Sequence, residues 1–218
     1  MKPALRFATL CIAIASIPFL ALDAQTIPKP AIDTVRAKDP AKGPGKNEET
    51  AILAGGCYWT VETIFERLDG VKDVVSGFAG RGTAGPLGPL PAAEVVRIVY
   101  DPAKISYGTL LTIFFGVAHD PTQLNRQGPD EGPEYRSSIF YMDDEQRRVA
   151  DAYIKQLDLA KVFPRRIVTT VVPFDTFAEA PPAHQDFVRK NPTHSYVVYN
   201  DLPKIKHLEK DFPQLLKR

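Results

Sequence analysis

Cys57 is the residue best placed to do chemistry, because it follows Gly55-Gly56 where a short apolar run, Ala51 to Ala54, gives way to a helical pattern. A sulfur at the first turn of a helix lies near unpaired backbone N–H groups and the positive end of the dipole, which favours thiolate over thiol and makes a nucleophile. Tyr58 and Trp59 follow directly. They offer aromatic surface for an apolar substrate group, although two aromatics at a helix start also serve as core. Glu94 shares strand parity with Val96, Ile98 and Tyr100. If that row faces inward, desolvation raises the carboxyl pKa and leaves it protonated at neutral pH, as a general acid requires; a solvated strand-end glutamate is the alternative. The long polar stretch His119 to Ser137 adds Asp130 and Tyr135 as candidates, with an Asx turn and a core ring as their ordinary roles. The histidines at 119, 184, 194 and 207 have no ligand spacing among themselves or with Cys57, so no metal site is expected.

These residues need elements to hold them. Val61, Ile64, Phe65 and Leu68 fall at i, i+3, i+4 and i+7, which predicts a helix that stops at Gly70. Val71 to Phe78 reads as a second strand, and a loop rich in glycine and proline leads to a third, Glu94 to Tyr100. Ser106 is placed to cap a helix carrying Leu110, Leu111, Phe114 and Phe115. A strand from Tyr135 to Tyr141 follows, and Asp143 opens a helix with Val149, Ala152, Tyr153 and Leu157 on one face. Arg166 to Val172 is the last clear strand. The order βαββαβαβ with short crossovers favours an α+β fold, a two-layer sandwich.

The chain has 218 residues, 27 basic and 26 acidic side chains and 44% hydrophobic residues, a soluble globular composition with no charge excess to attract nucleic acid. Lys2 and Arg6 precede an apolar run from Phe7 to Leu22 that ends in Leu22-Asp23-Ala24. Residues 1–24 therefore read as a secretory signal cleaved after Ala24, and the protein as exported, periplasmic or secreted, with no stable membrane anchor. Residues 25–49, with Pro28, Pro30, Pro40 and Pro44 and no apolar periodicity, read as a disordered tether, and 50–218 as one domain, a monomer. Cleavage removes Cys11 and leaves Cys57 alone, so the mature chain has no intrachain disulfide. An unpaired thiol in an oxidising compartment is normally kept for its reactivity.

The segments AILAGGCYWTVETIF, GFAG, AEVVRIVYDPAKISY, HDPTQLNRQGPDEGPEYRSSIFY and FPRRIVTTVVPFDTF, in this order, resemble the type A peptide methionine sulfoxide reductases from about Thr50 to Asn191. The resemblance implies a ferredoxin-like βαββαβ core with extensions and reduction of the S epimer of methionine sulfoxide, free or in proteins. It implies that Cys57 attacks the sulfoxide sulfur, Glu94 protonates the departing oxygen and Tyr135 donates a hydroxyl to that oxygen. Tyr58 and Trp59 would cradle the methyl group, and Asp130 would orient the substrate. Cys57 would be left as a sulfenic acid, which a thiol must reduce. Three departures stand out. The motif usually reads GCFWG and here reads GCYWT, so Thr60 narrows the pocket and Tyr58 brings a hydroxyl into it. Phe78 stands where the family commonly has a second tyrosine. The C-terminal segment after Asn191 holds no recycling cysteine. No bound cofactor is expected, and the sulfenic acid would be reduced by an external thiol, a thioredoxin-like protein or a small molecule. A relative that binds oxidised methionine without turnover, and a peroxide-consuming thiol enzyme, are the competing readings.

Overall fold

The computed structural model describes residues 27–33, 48–85 and 88–218. Six strands form one sheet: β1 (Glu49–Gly55), β2 (Val71–Ala79), β3 (Ala93–Tyr100), β4 (Ser137–Tyr141), β5 (Thr170–Pro173) and β6 (Phe177–Glu179). In space they run β6-β2-β3-β1-β4-β5, so the central four have ferredoxin-like order. Neighbours are antiparallel except β4 and β5. The central place of β1 explains its unbroken apolar run. Ala51 and Leu53 face the main core while Ile52 and Ala54 join a smaller cluster on the opposite face, and all four are buried.

The main core is built by helices α1 (Tyr58–Glu66), α2 (Tyr107–Ile113), α3 (Asp144–Leu159) and α5 (Leu202–Asp211), while α4 (Phe187–Lys190) is a single turn. Val61, Ile64, Phe65 and Leu68 are fully buried, each side chain contributing about 1.5–3 kcal/mol of transfer free energy. The expected caps are present: Ser106 Oγ accepts from Thr109 N at 3.1 Å, and Asp143 Oδ1 accepts from Gln146 N at 2.9 Å. On α3, Ala150 takes the buried place expected for Ala152, which is half-buried.

Several expectations are corrected. Within the proposed tether, residues 27–33 lie on the domain. Ile27 is buried against the core, Tyr153 Oη donates to Pro28 O at 2.7 Å, and Asp33 accepts from Ser106 Oγ and Gly108 N at 2.5 and 2.7 Å. Residues 34–47, and the whole proposed signal, lie outside the described residues. The strand expected over Arg166 to Val172 pairs only from Thr170, because it begins to align with β4 at Ser138. Sequence patterning also passed over β6, the five-residue π-helical turn Phe114–Ala118 that ends α2, and the π-helical turn Val197–Asp201 that leads into α5.

Candidate active site

The turn from β1 to α1 is shaped from beneath. Gly56 has φ +89°, and a Cβ there would lie 2.4 Å from Gln127 Cγ, so only glycine fits both the backbone and the neighbour. Gln127 is fixed by its amide, which accepts from Asp120 N and donates to Asp120 O, both at 3.2 Å. A Cβ on Gly55 would meet Phe114 Cε2 at 3.0 Å and His119 Cγ at 3.3 Å. His119 is buried, and burial pulls its pKa down to about 3. The neutral ring donates from Nδ1 to Phe114 O at 2.9 Å and accepts at Nε2 from Ser137 Oγ at 2.6 Å. The polar stretch after α2 is thus the floor that sets the glycine turn and Cys57 above it.

Cys57 occupies the N-cap of α1, half-buried and free. The Trp59 backbone N–H favours its thiolate, as expected of a helix start, yet the thiol is not acidified. Burial pushes its pKa well up, and the carboxylates of Glu94, Asp201 and Asp130 push it further. The expectation of a favoured thiolate is therefore corrected: the Trp59 N–H is present at the helix start, but burial and the three carboxylates outweigh it.

Glu94 points to the inner face with Val96, Ile98 and Tyr100, and its Oε2 accepts from Tyr58 N at 3.1 Å. The carboxyl thus lies one residue along the backbone from the sulfur. Burial raises its pKa to about 7, aided by Asp130 and Glu134 and opposed by the Tyr58 N–H. Tyr135 lies in the 3-10 turn Pro133–Tyr135, not on a strand, because β4 begins two residues later. Its pKa is raised to about 12 by burial, then by the charges of Glu94, Asp130 and Cys57. Arg136 holds this corner with Nη1 on Pro91 O and Pro133 O at 3.0 and 2.8 Å and Nη2 on Gly80 O at 3.2 Å.

The walls are aromatic. Phe78 pairs across the sheet with Glu94 and sets its ring edge-on to Tyr58 at 5.7 Å. The Tyr58 hydroxyl is hydrogen-bonded to His184 Nδ1 at 2.9 Å, so it is held by the C-terminal segment, contrary to the expectation that it enters the pocket. Trp59 stacks on Phe187 at 3.7 Å and meets Tyr196 at right angles at 5.7 Å. Tyr196 Oη donates to Asp130 Oδ2, and Asp130 lies on a two-residue ribbon with Arg126–Gln127. Thr60 does not narrow the pocket by the expected route, because its hydroxyl donates to the buried Asp201. All seven residues singled out in the sequence, Cys57, Tyr58, Trp59, Phe78, Glu94, Asp130 and Tyr135, border one site. His184, Phe187, Tyr196 and Asp201 were missed; the signal for the first three was the density of aromatic and histidine residues between His184 and Tyr199, and Asp201 had none.

The sequence profile of the family described as "Peptide methionine sulfoxide reductase" matches residues 49–216. The chain belongs to that family. Reduction of methionine sulfoxide by a thiol is its chemistry. A Mesorhizobium japonicum relative, "Peptide methionine sulfoxide reductase MsrA 2", is 50% identical over 81% of this chain and 93% of its own. A Synechocystis relative of the same name is 44% identical over 95% and 98%. Among solved structures, methionine sulfoxide reductase A of Corynebacterium diphtheriae is 32% identical, with a TM-score of 0.56 over 69% of this chain and 78% of its own. Reduced Mxr1 from Saccharomyces cerevisiae is 28% identical, with a TM-score of 0.56 over 74% and 93%. The profile reaches about 25 residues beyond Asn191, where the resemblance ends, taking in Tyr196, which meets the Trp59 ring, and α5. Among the described residues no group of His, Cys, Asp and Glu gathers to hold a metal ion.

In a reductase of this family the Phe78 ring is a testable departure. It pairs with Glu94 across the strands and packs edge-on against Tyr58, so a para hydroxyl there would add a donor to the wall that adjoins Glu94. Phe78→Tyr should raise the single-turnover rate roughly five- to tenfold, the effect of one added hydrogen bond of about 1 kcal/mol in the transition state. Rapid-quench measurement of methionine formed checks it. An unchanged rate would mean that the oxygen is already held by other donors.

Proposed function

We propose that this chain reduces the S epimer of methionine sulfoxide, free or in proteins, through a sulfenic acid on Cys57. The observation that carries this reading is the hydrogen bond from Tyr58 N to Glu94, which holds a half-protonated carboxyl beside the sulfur. The Cys57 thiolate attacks the sulfoxide sulfur. The attack forms a bond between Cys57 Sγ and the substrate sulfur, Glu94 gives a proton to the oxygen, and the hydroxyl moves to Cys57 as S–OH while the substrate S–O bond and the new S–S bond both break, one electron pair staying on the methionine sulfur. Cys57 is oxidised by two electrons, and methionine leaves reduced. Tyr135 donates to the oxygen, Tyr58, Trp59 and Phe78 enclose the methyl group, and Asp130, held by Tyr196, orients the substrate.

The second half-reaction follows from the cysteine count. After Cys57 the sequence has no further cysteine, so an external thiol attacks Cys57 S–OH, water leaves and a mixed disulfide forms. A second thiol then releases Cys57 reduced. A thioredoxin-like protein or a small thiol supplies both, and the enzyme works as a monomer without a bound cofactor. The apolar N-terminal segment directs export to a periplasmic or external compartment, with cleavage after Ala24. Among the described residues no helix is long and apolar enough to cross a membrane.

A single-turnover reaction with separated epimers and no reductant tests the proposal. About one methionine per protein should form from the S epimer alone, with a trappable sulfenic acid on Cys57. A folded protein with a free thiol that binds the S epimer and forms no methionine would instead be a binding relative, and one that consumed peroxide and ignored sulfoxide would be a peroxidase.

A further inference from the structure

A buried charged cluster that the proposed mechanism does not use packs against the same turn as Cys57. Thr60, three residues beyond Cys57 on α1, is buried, and its hydroxyl donates to Asp201 Oδ1. Asp201 is completely buried at the end of the π-helical turn, and its Oδ2 has no hydrogen-bond partner among the described residues. Lys204 stands one turn further on, in α5. Its Nζ donates to Ala118 O, the last residue of the π-helical turn of α2, at 3.0 Å. That bond uses one of three ammonium donors and pins the charge between α5 and the end of α2.

The charges facing Cys57 are mostly of the wrong sign for a thiolate. Glu94 comes from β3, Asp130 from the short ribbon and Asp201 from the turn before α5. The hydroxyls of Tyr58, Tyr135 and Tyr196 are neutral, since burial raises each of them. Lys204 brings positive charge to this group. Burial lowers the Lys204 pKa, while the charges of Asp201, Cys57 and Asp130 favour its ammonium, and His194 favours the Asp201 carboxylate. A sulfur leaving water as an anion needs such a counter-charge, because the partial charge of a helix start does not offset desolvation.

We propose that Lys204 is a positioning residue for the Cys57 thiolate, its ammonium fixed by the Ala118 carbonyl, with Asp201, fixed by Thr60, tempering that charge. The inference rests on the reading of Cys57 as the attacking sulfur. It predicts that removing the two charges moves the ionisation of Cys57 in opposite directions, which loosened packing would not do.

The test is the rate of iodoacetamide alkylation of Cys57 across a pH series. It is measured on the full chain by peptide mass spectrometry, so that Cys11 is counted separately. Lys204→Met should raise the apparent pKa of Cys57 by about one unit and slow alkylation about tenfold at a fixed pH below it. Lys204→Arg should stay within about threefold of the parent. Asp201→Asn should quicken alkylation about threefold or more. A Lys204→Met rate equal to the parent, or a slower Asp201→Asn, overturns the proposal. If Lys204→Met does not fold, Asp201→Asn and Lys204→Arg decide it, since slowing in either contradicts the assigned signs. No sulfoxide is present, so a failed reductase reading shows in the single-turnover reaction and leaves this result independent.

Discussion

Cys57→Ser should form no methionine from either sulfoxide epimer, with single-turnover rates below about one part in 10⁴ of the parent. The hydroxyl replaces a polarisable sulfur whose thiolate can be populated with one whose anion is out of reach at any working pH. Serine also has no stable oxidised state corresponding to S–OH, so the oxygen has nowhere to go. The fold should be nearly unaffected. Cys57 makes no side-chain capping bond at α1, and the turn is fixed by Gly56 over Gln127 and by the Tyr58 N–H on Glu94. Thermal melting within about 2 °C of the parent, intact binding of the S epimer and no methionine would together place the chemistry on the sulfur. Methionine released at more than about one-hundredth of the parental rate would sink the covalent route, because Cys11 is the one other cysteine of the chain and lies in the segment expected to be removed.

How far the site was legible follows from how local each signal is. The Cys57 turn could be read because a strand, two glycines and an i, i+3, i+4, i+7 pattern sit within about 20 consecutive residues. For Glu94, parity put the carboxyl on the face of Val96 and Ile98 but did not say whether that face was inward or solvated; that depends on strand pairing and packing between segments far apart in sequence. The C-terminal wall had no such signal. Phe187 and Asp201 are carried by a one-turn helix and a π-helical turn, whose side chains follow neither period, Tyr196 directly precedes that turn, and their partners Trp59, Thr60 and Asp130 lie far away in sequence. Cys57 itself is pushed up by burial and by Glu94, Asp201 and Asp130, groups that lie far from the helix start in sequence, so a local argument from that helix start accounted only for the Trp59 N–H. Residues 27–33 escaped for another reason. They are held by one buried isoleucine and by bonds to the Pro28 and Lys29 carbonyls, contacts that a proline-rich stretch does not announce.

Glu94→Gln should slow sulfenic acid formation about 10²- to 10³-fold near neutral pH and change the form of its pH dependence. The carboxyl has a pKa of about 7 and the sulfur one far above it, so the proton that leaves near pH 7 leaves from Glu94. The reactive arrangement, thiolate beside neutral carboxyl, is the minor isomer of that same singly protonated pair. Its population rises as pH climbs through about 7 and then stays level until the thiol itself ionises. The parent rate should follow that course. Glutamine cannot exchange this proton, although its carbonyl can still accept from Tyr58 N and keep the turn. The variant should therefore lose the limb near 7 and climb steadily, about tenfold per pH unit, toward the pKa of the thiol. Glu62 titrates in the same range, at about 7, but its Oε2 accepts from Asp186 N at 2.9 Å and has no part in this pair. A limb near 7 that survives in Glu94→Gln would reassign it to such a group. A second readout separates chemistry from damage: removing the negative charge of Glu94 lowers the pKa of Cys57, so iodoacetamide should react faster while sulfoxide reacts more slowly. A disturbed turn would not produce that opposition, and slower reaction with both reagents would end the assignment of Glu94 as the acid.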